Sequence, residues 1–299
     1  MTREEALSEI KNFRSIETVI FAMRIIAKIG TVADIFTLMP IATNNQSNAS
    51  IRKLATDAIC SIIKESLITR FNELTPDMRQ KLAKILQTLD PKIINDLSKD
   101  LFSNDTERRL SALQMLGILR RHPRVKDIVA KLLQDKDTKI RATAIALLGK
   151  MMGPNDQHMV LMLLGDDDKR VRANTVEALE SMGNPEMIPI LNPYRKDPNN
   201  RIRGNVLKAL YNLGQTDIEE DLLDMLTSTE PLQKASALWV VTQTKYGEGN
   251  NKRVVDAAGA CLLCDNKMVH RNAEAALTAL GTPRCTGYIN YLGRIFIFP

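Results

Sequence analysis

Between residues 138 and 152 the apolar positions Ile140, Ala144, Leu147 and Leu148 recur at steps of three and four. That spacing lines them along one stripe and predicts an amphipathic helix with a single face to bury. Ahead of the stripe stands an acidic turn, an aliphatic residue and an arginine: Asp135-Lys-Asp-Thr-Lys-Ile140-Arg141-Ala142. The same design returns as Asp166-Asp-Asp-Lys-Arg-Val171-Arg172-Ala173 and as Asp197-Pro-Asn-Asn-Arg-Ile202-Arg203-Gly204. The step from Arg141 to Arg172 equals the step from Arg172 to Arg203. The same step again reaches Lys234, and a longer one then reaches Arg271 behind Asp265. A nearly equal step back from Arg141 reaches Arg109. Weaker echoes stand at Arg52 and Arg79.

A fixed period of this length is the mark of a repeat architecture. Each unit resolves into two helices. The first is the shorter and is expected over Val125–Leu133, Gln157–Leu164, Glu186–Leu191, Asp217–Leu226 and Lys252–Leu263. Gly153-Pro154, Gly183-Asn-Pro185, Gly214 and Gly281-Thr-Pro283 punctuate the joints, with Gly after a helix end and Pro at the next helix start. One helix pair cannot cover its own apolar face, so neighbouring pairs must stack. The expected fold is therefore all-α, a right-handed α-solenoid of roughly eight or nine helix pairs.

The chain resembles the HEAT-repeat family, in which a Pro in the first helix is followed by an Asp in the turn and Val-Arg early in the second helix. Pro189, Asp197, Ile202 and Arg203 fill all four places, with Ile for Val; Asp135 and Arg141, Asp166 and Arg172, and Asp265 and Arg271 fill the last pair. The resemblance implies that these Asp and Arg residues, together with Arg109, form a structural ladder between adjacent repeats. Gln46, Ser103 and Ser228 replace Asp ahead of Arg52, Arg109 and Lys234, so the ladder is expected to break there. The match is loose over 1–90 and clear from about 90 onward. The expected organisation is a single array over 1–299, with divergent repeats in 1–90, regular repeats in 91–282 and a C-terminal cap in 283–299.

Composition agrees. Aromatics are only 4% of the chain, hydrophobic residues 44%, and the apolar surface comes mostly from Leu, Ile, Ala and Met, which suit helix packing. The net charge of +6 divides into about +2, +3 and +1 over successive thirds, so no third is a basic domain. The densest run, Arg120, Arg121, His122, Pro123, Arg124 and Lys126, falls at a turn; it reads as a solvated turn or, alternatively, a phosphate-binding patch. No apolar stretch approaches the ~18–20 residues of a bilayer span, and the charged N-terminus lacks a signal-peptide core, so a cytoplasmic protein is expected.

Candidate chemistry is thin. Cys261-Leu-Leu-Cys264 has the spacing of metal and redox sites, yet His270 and Cys285 do not make a second close ligand pair. It reads instead as part of a buried first helix. Asp166-Asp167-Asp168 lacks the spaced oxygens of a calcium loop and suits a helix cap. No nucleophile elbow, phosphate loop or zinc-protease motif occurs, so no catalytic residue, cofactor or metal is assigned.

The second helices offer the remaining candidates. Two residues beyond each key basic position stand Ser111, Thr143, Asn174, Asn205 and Ser236. Five residues beyond stand Gln114, Ala146, Glu177, Lys208 and Trp239. Both sets lie off the apolar stripe, where a solenoid's concave face should be. A polar ladder with one large aromatic suits a protein or peptide partner. The expected role is a non-enzymatic scaffold or adaptor. Two alternatives stay open: nucleic-acid binding resembling HEAT-like alkylpurine glycosylases, and an accessory subunit resembling phycobilin lyases.

Overall fold

The structure, a computed structural model, describes residues 1–46, 48–70, 73–119, 124–246 and 251–292. Arg120 to Pro123 and the last part of the expected C-terminal cap, residues 293–299, lie outside the described residues. Every regular element among the described residues is helical. The chain separates into two compact units, Met1–Leu132 and Leu133–Pro299, a division that the repeat spacing did not signal.

The first unit holds α1 (Arg3–Asn12), α2 (Ile16–Ile29), α3 (Ile35–Thr43), α4 (Ala49–Thr69), α5 (Pro76–Leu89), α6 (Ile93–Asp100), α7 (Thr106–Ile118) and α8 (Arg124–Ala130). Thr2 and Glu5 close a capping box on α1. Beside it Arg3 donates to the buried Asp34, which ties α1 to the start of α3. The core is aliphatic: Met23 and Ile26 of α2, Leu38 of α3 and Ile59 and Ile63 of α4 are all fully buried, and α4 packs on both α2 and α3. Helix α5 follows α4 without the paired helix that the repeat pattern would supply.

The second unit holds α9 (Thr138–Leu148), α10 (Lys169–Met182), α11 (Ile188–Leu191), α12 (Asn200–Asn212), α13 (Glu219–Thr227), α14 (Pro231–Thr244), α15 (Lys252–Ala260), α16 (Lys267–Leu280) and α17 (Pro283–Leu292). Helices α9, α10, α12, α14 and α16 are the second helices of successive repeats, and each packs on the next. Their buried stripes run through Ile140 and Ala144, Val171 and Val176, Val206 and Leu210, Leu238 and Val241, and Ala273 and Leu277. Leu147, expected in the stripe, is only half-buried, and Ile145 takes the buried place.

The first helices are less regular than expected. Gln157–Met159, Leu161–Gly165, Pro185–Met187 and Asn192–Lys196 are 3-10 turns. Around α11, Pro185, Pro189 and Pro193 remove an amide donor from three successive turns, so no long α-helical ladder can form.

Gly183 and Gly281 end α10 and α16 in the left-handed conformation that the sequence pattern required. At the far end of the unit, α17 packs on α15 and α16. The Tyr288 ring lies so close to Gly259 that a Cβ there would meet it at 2.7 Å. The Tyr288 hydroxyl donates to Asp256 at 2.9 Å, and Arg284 pairs with the same carboxylate.

Candidate functional site: the exposed face of the second-helix layer

The N-caps set the register of the second helices. Asp105, Asp137, Asp168, Asn199 and Asn266 each accept a backbone N–H from the first turn, while Glu230 holds the same place in α14 without a side-chain bond. Four residues beyond these caps stand Arg109, Arg141, Arg172, Arg203, Lys234 and His270. The last repeat therefore corrects the sequence reading. Its ladder places belong to Cys264 and His270, and the exposed Asp265 and Arg271 stand one residue out of register. The lengthened step from Lys234 to Arg271 conceals that slip.

The ladder has two kinds of rung. Within a repeat the arginine binds the main chain of the preceding turn: Arg141 donates to the carbonyl of Asp135 at 2.8 Å, and Arg172 to that of Asp166 at 2.7 Å. Arg109 donates to the carbonyl of Ser103 at 2.9 Å. A carbonyl is supplied by any residue, so Ser in place of Asp does not break this rung. Between repeats a carboxylate is needed. Arg141 binds both oxygens of Asp166, at 2.8 and 2.9 Å, with the two side chains 15% and 8% exposed. The hydrogen bonds from Arg141 hold the Asp166 carboxyl below its usual range.

Beyond that junction the expected pattern changes. Arg172 directs its bonds to the carbonyls of Asp166 and Asp167, and the Asp197 carboxylate accepts the N–H of Asn199 in its own turn. Arg203 turns instead to Asp224 at 2.7 Å and lies 3.9 Å from Asp221. Arg195, which the sequence did not single out, donates to the buried Asp221. Ser228 stands where the next repeat would supply the Asp for Arg203, and the carboxylates of Asp221 and Asp224 in α13 take the two guanidiniums instead.

The column two residues beyond the ladder stitches repeats together. Asn174 donates to the carbonyl of Ala142 at 2.8 Å, Asn205 to that of Ala173 at 3.1 Å, and Asn272 to that of Ala235 at 3.3 Å. Asn205 is 2% exposed and also donates to Glu177. Ser236 receives a bond from Asn200. Thr143 bonds within its own helix, to the carbonyl of Lys139. Ser111 and Gln114 stand on α7 in the first unit, half-buried and exposed respectively. Asn174 and Asn205 were expected to face a partner, but their amides are engaged by the neighbouring helix.

Around these stitches lies a groove of about 320 Å³ on α10, α12, α14 and α16. It brings together four of the expected residues, Glu177, Asn205, Ser236 and Trp239. Lys208 stands beside it, 3.0 Å from Glu180 and 5.2 Å above the Trp239 ring. The sequence reading missed Leu232, Met268 and Arg201, which also line the groove. They stand two residues before the ladder, one helical turn ahead of the asparagine column. Extending the same stripe back by four residues would have found them. Leu232 and Met268 are 55% and 41% exposed. Arg201 donates to Asn174 and Glu177, and Arg170, in the same column, pairs with Asp168 and reaches Thr138.

Among the described residues no group of three or more His, Cys, Asp or Glu side chains is placed to hold a metal ion. The cysteines are free, and burial pushes the Cys60 and Cys261 thiols up to about 11. Among the described residues no helix is long and apolar enough to cross a membrane.

Stacked helix pairs, with Arg–carbonyl rungs at Arg109, Arg141 and Arg172, make this an α-solenoid. Within that class, residues 157–242 match the family model of HEAT repeats. No curated protein matches the chain's sequence. Among solved structures, the karyopherin Kap121p bound to Pho4p is similar at 13% identity and a TM-score of 0.55, covering 97% of this chain and 39% of the karyopherin. The chain thus spans about two fifths of that protein. Kap121p bound to Nup53p gives 14% identity and a TM-score of 0.55, with 97% and 39% covered. The Escherichia coli protein YibA gives 18% identity and a TM-score of 0.52, covering 92% of this chain and 90% of that one. At these identities the likeness concerns the fold alone.

Proposed function

We propose that the chain is a non-enzymatic scaffold that binds another protein or a peptide through the groove at Leu232, Trp239 and Met268. One observation carries the reading. Large apolar side chains stay exposed in a groove whose polar floor, Asn205, Ser236 and Asn272, is already hydrogen-bonded. Such a surface gains by burying its apolar anchors and loses little by drying its polar groups, as protein interfaces do. The groove presents amides, paired charges and hydrocarbon, with no nucleophile poised beside a base. The karyopherin structures of similar fold hold protein ligands, Pho4p and Nup53p. A protein ligand on this chain follows by analogy of fold only. A cytoplasmic setting goes with this reading, since all four cysteines remain thiols.

The test is comparative capture with the wild-type chain and a Leu232→Asp, Trp239→Ala double variant, followed by binding measurements on purified candidates. Candidates that bind the wild type should bind the variant about tenfold or more weakly, as for a central interface anchor. Equal binding by both would place the interface elsewhere.

A nucleic-acid reading draws on the exposed Arg170 and Arg201, the latter in the groove with Trp239. Both guanidiniums are paired with carboxylates, Asp168 and Glu177, which would oppose a phosphate backbone. Duplex DNA is expected to bind no tighter than about micromolar at physiological salt. A sub-micromolar complex with a steep salt dependence would replace the protein-binding reading.

A further inference from the structure

The first unit carries a second groove, unrelated to the surface described above. It has a volume of about 410 Å³ and is walled by Phe36 and Met39 of α3 and Met78, Leu82 and Ile85 of α5. Phe36 is 82% exposed, an unusual state for an aromatic side chain beside other apolar groups. The lining is almost entirely hydrocarbon and thioether, and the exposed Lys81 and Lys84 of α5 stand along it. Lys81 reaches Asp77 at 2.7 Å, but the two side chains are 72% and 71% exposed, so that pair is weak and exchangeable.

We propose that this groove is a docking site for an amphipathic helix of a partner protein, with acidic residues flanking its apolar stripe. Three features select that occupant. The volume holds a few large aliphatic side chains, the set that one helix presents at i, i+3, i+4 and i+7. The wall offers no hydrogen-bond partner, so an extended segment would leave its backbone N–H and C=O groups unsatisfied. A helix bonds its own backbone and brings only side chains to the wall. Lys81 and Lys84, both exposed on α5 and among the residues that line the groove, favour carboxylates beside the incoming stripe while repelling a basic helix. The two methionines allow the wall to fit different aliphatic shapes.

The probe is a fluorescein-labelled model helix of about 18 residues, with leucines at the four stripe positions and glutamates beside them. A matched peptide carries lysines in place of the glutamates. With the full chain, the glutamate peptide is expected to bind about tenfold or more tightly than the lysine peptide, by fluorescence anisotropy. Phe36→Asp should weaken it by about tenfold or more, with an unchanged melting curve because Phe36 lies outside the core. The double change Lys81→Glu, Lys84→Glu reverses the charge on α5 while keeping Phe36 and both methionines, and should invert the preference between the two peptides. Equal binding of the glutamate peptide by wild type and Phe36→Asp overturns the proposal. So does Phe36-dependent binding to phosphatidylserine-containing vesicles without peptide binding, which would make the patch a membrane contact. Self-association lost in Phe36→Asp, again without peptide binding, would overturn it too and assign the groove to a second copy of the chain.

Discussion

Arg141 grips both oxygens of Asp166 across a repeat junction, while its remaining nitrogen holds the carbonyl of Asp135 in the turn before. One side chain thus fixes the turn of its own repeat and the start of the next. Arg172 has the same sequence context but makes only the within-repeat rung. Arg141→Ala leaves a largely buried carboxylate unpaired and should destabilise the second unit by about 2–4 kcal/mol. Arg172→Ala should cost about 1 kcal/mol. Urea unfolding of the two variants checks this, and equal losses would mean that the cross-repeat carboxylate contributes nothing.

The same pair makes an acid-sensitive joint. Asp166, Asp168 and Asp256 are held below their usual range, in each case foremost by hydrogen bonds from a neighbouring arginine: Arg141, Arg170 and Arg284. Their folded-state values lie below the unfolded value of about 3.9, so the stabilisation is complete above it. It disappears as the pH falls through the depressed values. Melting temperature should therefore be flat near neutrality and decline below about pH 4. Asp166→Asn should start lower and decline less steeply, and a parallel acid decline in both proteins would exclude Asp166 as a contributor.

Asn205→Ala tests the stitch between second helices. It removes one bond to the Ala173 carbonyl and one to Glu177 from a site 2% exposed. A loss of about 1–2 kcal/mol is expected. Asn205→Asp keeps the shape but removes the donor, and should cost at least as much. Unchanged stability in both would show that the asparagine column is free to serve a ligand instead.

Gly259→Ala tests the docking of α17. The new methyl would meet the Tyr288 ring at 2.7 Å, so either the ring or the helix must move. Overpacking of this kind costs about 1–3 kcal/mol. Hydrogen exchange should accelerate in 283–292 and stay unchanged in α9 to α12. Unaltered exchange in α17 would mean that the ring shifts without cost.

The cysteines should react unevenly. Cys60 and Cys261 are buried, their thiols are raised to about 11, and Cys285 is fully buried. Cys264 is only half-buried. Iodoacetamide at neutral pH should label Cys264 first, with the other three protected until unfolding. Early labelling of Cys261 would contradict the burial of the first helix that carries it.

The repeat itself was written in the sequence. The recurrence of Asp, aliphatic and Arg at a fixed step, with Ile140, Val171 and Ile202 starting each buried stripe, needs only helical periodicity and a chain too amphipathic to stand as single pairs. The cap positions carry local signals too, since Asp137, Asp168 and Asn199 bond within a few residues. What sequence could not decide was where each side chain finds its bonds. Arg172 and Arg141 look alike in sequence, yet only Arg141 grips the next repeat's Asp; Arg203, facing Ser228 at that place, meets Asp224 of α13 instead. Asn174 and Asn205 look like open ligands until the neighbouring helix's carbonyl comes within reach. The slip of one residue at His270 shows only when Asn266 is seen to cap α16. Leu232 and Met268 join Trp239 in one groove only after α14 and α16 are stacked. Periodicity and capping are properties of neighbours in the chain, so sequence determines them. Bond partners and grooves depend on helices from different repeats, far apart along the chain, and the packing of the tertiary structure chooses among them.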